Sequence, residues 1–81
     1  MEALYLNIKG KSIEDKIEIL ETVEWGFNQI GEDAEISLNG GSVGMVTAIS
    51  VDIDQENITF ERDGDDDITY DIAPIENIVI A

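Results

Sequence analysis

Cysteine and histidine are both absent from the 81 residues. Without cysteine there is neither a disulfide staple nor a thiolate metal site, and without either residue the usual nucleophile and base pairings of hydrolases lose a member. Ser12 is better used as a helix cap, and Ser37, Ser42 and Ser50 have no base in a recognisable motif. Proline occurs once, at Pro74, and Phe, Trp and Tyr together make only 6% of the chain. No stretch approaches the roughly 18 apolar residues of a membrane span, and the opening MEALYLNIKG lacks the basic start and apolar run of a secretory signal. These absences lead to the expectation of a soluble cytoplasmic protein that is not an enzyme and holds no cofactor.

Positive charge is the scarcest property of all. Four Lys and Arg face nineteen Asp and Glu, for a net charge of -15. Up to Lys16 the chain is balanced, with Glu2, Glu14 and Asp15 against Lys9, Lys11 and Lys16; after Ile17 sixteen acids face Arg62 alone. So strong a negative field favours basic partners and repels nucleic acid and anionic membranes. Yet 43% of the residues are hydrophobic, too many for a disordered polyanion, and the length suits one domain, 1–81.

Hydrophobic periodicity divides that domain at about residue 33. Ser12 with Asp15 three positions on resembles a capping box and predicts a helix start. Ile13, Ile17, Leu20, Val23, Phe27 and Ile30 then form one apolar stripe, opposite Glu14, Glu18, Glu21 and Glu24, with Gly31 as the stop and Gly26 as an earlier alternative. Ahead of it, residues 3–9 alternate as a short strand would, although a helical reading also fits so short a run. After the helix the period changes to two. Ile36 and Leu38 end at the turn Asn39-Gly40-Gly41; a long run from Val43 to Ile53 carries Val43, Met45, Thr47, Ile49, Val51 and Ile53 on one face. Ile58 and Phe60, then Ile68, Tyr70 and Ile72, and finally Ile78-Val79-Ile80 complete five antiparallel strands. The expected fold is α+β, with a short strand and helix over 1–33 and a small five-stranded antiparallel barrel over 34–81. Its interior is expected to hold Ile49, Val51, Phe60 and Tyr70 beneath Ile17, Leu20 and Phe27.

The order of elements and four local stretches, Leu38-Asn39-Gly40, Gly44-Met45-Val46, Ile58-Thr59-Phe60 and the closing segment from Tyr70 to Val79, resemble the Sm/Lsm-like small barrel of SH3-like architecture. That resemblance implies a barrel and ring assembly. It does not imply RNA binding: bacterial Sm proteins follow the corresponding tyrosine with a Lys-His pair, whereas Tyr70 is followed by Asp71 and Ile72.

Two acidic clusters stand out. Asp52, Asp54 and Glu56 alternate like the opening of an EF-hand loop, but Asn57 stands where glycine is wanted and Asp63 where a bidentate Glu is usual. Asp63-Gly64-Asp65-Asp66-Asp67 sets a hairpin turn and concentrates four carboxylates on it; no purpose-built metal site is expected from one short loop. With Glu61, Asp71 and Glu76 these acids form the candidate partner-binding surface. Trp25 lies off the apolar stripe and is a candidate anchor, or else a cap on a small core.

The leading expectation is therefore a non-enzymatic inhibitor that mimics nucleic-acid charge and blocks a basic, nucleic-acid-binding protein such as a nuclease. In size and charge the chain resembles phage anti-restriction and anti-CRISPR proteins and toxin immunity proteins as a functional class. Two alternatives stay open: an Sm-like scaffold that oligomerises through Ile78-Val79-Ile80 without RNA, and a domain whose acidity serves high salt or solubility.

Overall fold

The computed structural model describes residues 3–81. Strand β1 (Leu4–Asn7) leads into helix α1 (Ile13–Ile30), and five strands follow: β2 (Ala34–Leu38), β3 (Gly41–Asp52), β4 (Asn57–Arg62), β5 (Asp65–Asp71) and β6 (Asn77–Ile80). The helix starts where the capping pattern places it, with Ser12 Oγ accepting from the Asp15 amide at 3.2 Å. It runs through Gly26 and stops at Gly31, whose left-handed φ of 71° lets its N–H reach Phe27 O.

The expected five-stranded barrel is not what the chain builds. All six strands form one open antiparallel sheet in the order β1-β6-β2-β3-β4-β5. Residues 4–7 pair along the outer side of β6, Leu4 against Ile80 and Leu6 against Ile78, so β6 has neighbours on both sides. β5 is the other edge, and it is bulged and rich in Asp. Like charge and broken register along β5 leave no ladder for a closing strand to join. The C-terminal strand expected to be free for oligomerisation is therefore interior, and the free edges belong to β1 and β5.

Strict alternation also fails along β3, for an identifiable reason. The register shifts where Ile36 and Ser37 oppose Gly44 and Ser42, and again where Val46 and Ala48 oppose Arg62 and Glu61. Val43 and Thr47 are the extra residues. Each bulge turns the following residues to the other face, so the buried positions are Val43, Val46 and Ile49, while Met45 and Thr47 face outward and Ile53 falls in an exposed turn. Gly44 has a φ of 118°, open to glycine and strained for any other residue.

Beyond the second bulge β3 outruns β2, whose ladder with it ends at Ala34 and Val46. The helix covers the backbone so exposed. Asn28 donates Nδ2 to Ile49 O at 2.8 Å and accepts from Ile49 N through Oδ1 at 3.0 Å, and Glu24 Oε2 accepts from Val51 N. Glu24, read above as part of the solvent face, is thus turned to the sheet. At the other end of the helix Lys16 is buried and donates Nζ to Ala73 O at 2.7 Å, which ties the first turn to the loop before β6.

Between helix and sheet lies a core of Ile, Leu and Val with one aromatic ring at its centre. Ile17, Leu20, Ile49 and Phe60 are buried as expected; Val51, Tyr70 and Phe27 are half-buried against them. The Phe60 and Tyr70 rings meet edge to face at 6.0 Å. Replacing Phe60 by Ala should cost roughly 3 to 5 kcal/mol, a large share of the stability of so small a domain. The denaturant midpoint checks this; little movement would mean that Phe60 is not at the centre of the core.

Candidate functional site

The hairpin of β4 and β5 holds the densest group of acids. Asp63-Gly64 turns the chain, with Gly64 at a φ of 79° and the Asp63 amide bonded to Met45 O at 3.0 Å. The register between the strands slips between Phe60–Ile68 and Arg62–Asp65, which puts a bulge in β5 at Asp66 and Asp67. Arg62 holds that bulge. Its Nε donates to Asp66 O at 2.8 Å and its Nη1 to Val43 O at 3.1 Å, so one guanidinium links the β5 bulge to the first β3 bulge. Its stem passes Gly44, where a Cβ would sit 3.6 Å from Cδ.

Arg62 is therefore spent on backbone carbonyls and closes no ion pair with the carboxylates around it. Among the described residues the one salt bridge joins Lys9 and Glu76 at 3.9 Å, both side chains largely exposed. Lys16 is likewise committed to a carbonyl. The exposed Glu61, Asp63, Asp65, Asp66 and Asp67 crowd around a single cation that neutralises only part of their charge.

The structure separates the other predicted acids from this group. Asp52, Asp54 and Glu56 lie at the β3–β4 turn, at the opposite end of β4, where Asp71 joins them by its register with Asn57. Asp52 Oδ1 accepts from the Gln55 amide at 3.0 Å, which makes a side-chain-braced turn in place of the opening of a calcium loop. The six residues of β4 put the two groups about 20 Å apart at strand rise. Asp67 and Asp71 share the outward face of β5 with Thr69, whose hydroxyl meets that of Thr59 at 2.8 Å. Glu76 stands apart, at the start of β6, paired with Lys9. Among the described residues no three acids converge on a point that would hold a metal ion.

Trp25 is 69% exposed on the outer side of the helix, in a shallow depression with Glu18, Glu21 and Thr22. None of the candidate partner-binding acids lines that depression. Sequence reasoning missed the part played by Arg62 because bulges do not show in an alternation pattern. The signal available was its isolation as the one cation among sixteen acids after Ile17. No protein-family model matches the chain, and no match is found among curated proteins or solved structures.

Replacing Arg62 by Met keeps the stem over Gly44 but removes both carbonyl bonds and the local positive charge. The expected cost is about 1 to 3 kcal/mol at low ionic strength, part of it recovered on adding salt as carboxylate repulsion is screened. Urea unfolding of both proteins at two salt concentrations measures it. An equal salt dependence in the two would show that Arg62 does not offset the acids.

Proposed function

We propose that this chain is a non-enzymatic acidic protein that covers the basic, nucleic-acid-binding surface of a partner such as a nuclease, presenting carboxylates where that surface expects phosphates. The observation that carries the reading is that, among the described residues, no Lys or Arg closes an ion pair with the β4–β5 acids. Carboxylates already engaged by Lys or Arg of their own chain offer little to a partner, whereas these keep their charge available. A sheet spaces same-face side chains at about 6.7 Å, twice the strand rise, and holds them on backbone that needs little ordering on binding. Complementary charge of this kind chiefly raises the rate of encounter and steers orientation.

The cytoplasm suits the absence of cysteine, and phage anti-defence or toxin-immunity roles suit the charge. A ring-forming scaffold joined through Ile78-Val79-Ile80 is disfavoured, because both sides of β6 are already paired. Direct binding to DNA or RNA is not expected of so acidic a surface.

The test has two steps: capture partners from host lysate, then ask whether the purified partner releases a DNA or RNA duplex when this protein is added. Partners that lack a basic nucleic-acid-binding face, or that hold the duplex unchanged, would refute the reading. Replacing Asp65, Asp66 and Asp67 by Asn should leave the fold intact or slightly more stable, slow association with the partner and flatten its dependence on salt. Stopped-flow association measured across a salt series checks this, and an unchanged rate would remove the hairpin from the interface.

A further inference from the structure

The two free edges of the sheet are opposite in character. β5 is guarded by Asp65, Asp66, Asp67 and Asp71 and by its bulge, the usual means of keeping an edge from pairing. β1 reads Leu-Tyr-Leu-Asn, with no charge, proline or bulge to guard it. Ile8 N bonds to Glu76 O at 2.8 Å, which fixes the parity of the strand. Leu4 and Leu6 direct their backbone groups to β6, and Tyr5 and Asn7 direct theirs outward, away from the sheet.

Behind this edge lies an apolar groove of about 530 Å³. Its floor and walls come from Leu4 and Leu6 of β1, Ile80 of β6 and Ile19, Val23 and Phe27 of the helix. The groove exists because the bonds from Asn28 and Glu24 hold the helix over β3, on the far side from β1. Gly26 leaves the wall without a side chain where one would narrow it. Leu4 is 48% exposed and Ile30 67% exposed along it.

Acids border the groove, and Lys9, which lies by Tyr5 and Asn7 at the β1 edge, is paired with Glu76 at 3.9 Å. Among the described residues Glu32 is the one charged residue lining the groove, and Glu18 and Glu21 lie just beyond Thr22, which borders both this groove and the depression at Trp25. No Lys or Arg lines it.

We propose that the β1 edge and this groove form a docking site for an extended basic segment of a partner protein, one that pairs with Tyr5 and Asn7, seats alternate apolar side chains in the groove and sets Lys or Arg against the acidic rim. This is strand addition with pockets for every second side chain. The inference deepens the reading above, on whose basic partner it rests: the hairpin acids steer, and the β1 side grips. Charge complementarity selects the occupant. A second copy brings another acidic rim and a net charge of -15 against the first, and an anionic lipid meets the same repulsion.

The probe is a short synthetic peptide alternating Val or Ile with Lys, compared at physiological salt with a scrambled isomer of equal charge. Binding is followed by amide chemical shifts and Trp25 emission. The alternating peptide should shift the Tyr5 and Asn7 amides and bind about tenfold or more tightly than its isomer. Leu4→Asp, in the groove, and Tyr5→Pro, which removes an outward N–H without touching the ladder to β6, should each weaken binding by about tenfold or more, whereas Asp65, Asp66 and Asp67 replaced together by Asn should change it less than about threefold. Equal binding of the two peptides, binding indifferent to both β1 variants, or a dimer by light scattering that is lost in Tyr5→Pro, would each overturn the proposal. Should the peptide dock as described while the duplex-release test fails, the docking site stands without the charge-mimic function; the reverse pair of results leaves that function without this grip.

Discussion

Strand β3 extends past the end of β2, and the backbone it leaves uncovered at Ile49 and Val51 has to be satisfied by something other than a strand. The side-chain amide of Asn28 does this with a donor and an acceptor to one residue, and Glu24, one helical turn earlier, takes the next amide. A buried peptide group without a partner costs roughly 1 to 3 kcal/mol, so this contact decides where the helix lies. With α1 fixed over β3, the other half of the sheet is only partly covered, and the apolar groove along β1, β6 and β2 follows.

The same arrangement separates two kinds of surface. Acids gather on the β4–β5 side, where bulges and an Asp-rich edge resist pairing and Arg62 secures the backbone beneath them. On the β1 side Leu4, Tyr5 and Ile30 are exposed around the groove, while Met45 and Ile53 are exposed singly beside the acids. A partner of the proposed kind, basic and with an extended apolar segment, would meet both, first through long-range attraction and then through contact. On that proposal neither surface alone would supply both rate and grip.

Much of the element order was legible in the residues. The helix boundaries followed from Ser12, whose hydroxyl accepts from the Asp15 amide, and Gly31, whose N–H reaches Phe27 O, and Phe60 and Ile49 fell on inward faces as their periods required. Closure of the sheet was not legible. Whether β6 pairs with β5, or accepts β1 instead, depends on long-range competition for one edge, and Leu4 to Asn7 is too short a run to announce its pairing. The faces of β3 were lost at Val43 and Thr47, where inserted residues break a period that a pattern assumes to be unbroken. Among the candidate acids, sequence proximity hid the roughly 20 Å that separates the hairpin group from Asp52, Asp54 and Glu56. The groove went unseen because its walls come from β1, α1, β2 and β6, which only the folded sheet brings together.

Native-state hydrogen exchange at the Ile49 amide, in the protein and in Asn28→Ala, tests the contact on which this arrangement depends. With the helix clamp intact the amide should exchange slowly, at the level of the neighbouring core strands. In the variant its protection should fall by about tenfold or more, with overall stability lower by about 1 to 3 kcal/mol. Unchanged protection at Ile49 together with an unmoved unfolding midpoint would contradict the account, since the helix would then be held over β3 by something other than Asn28.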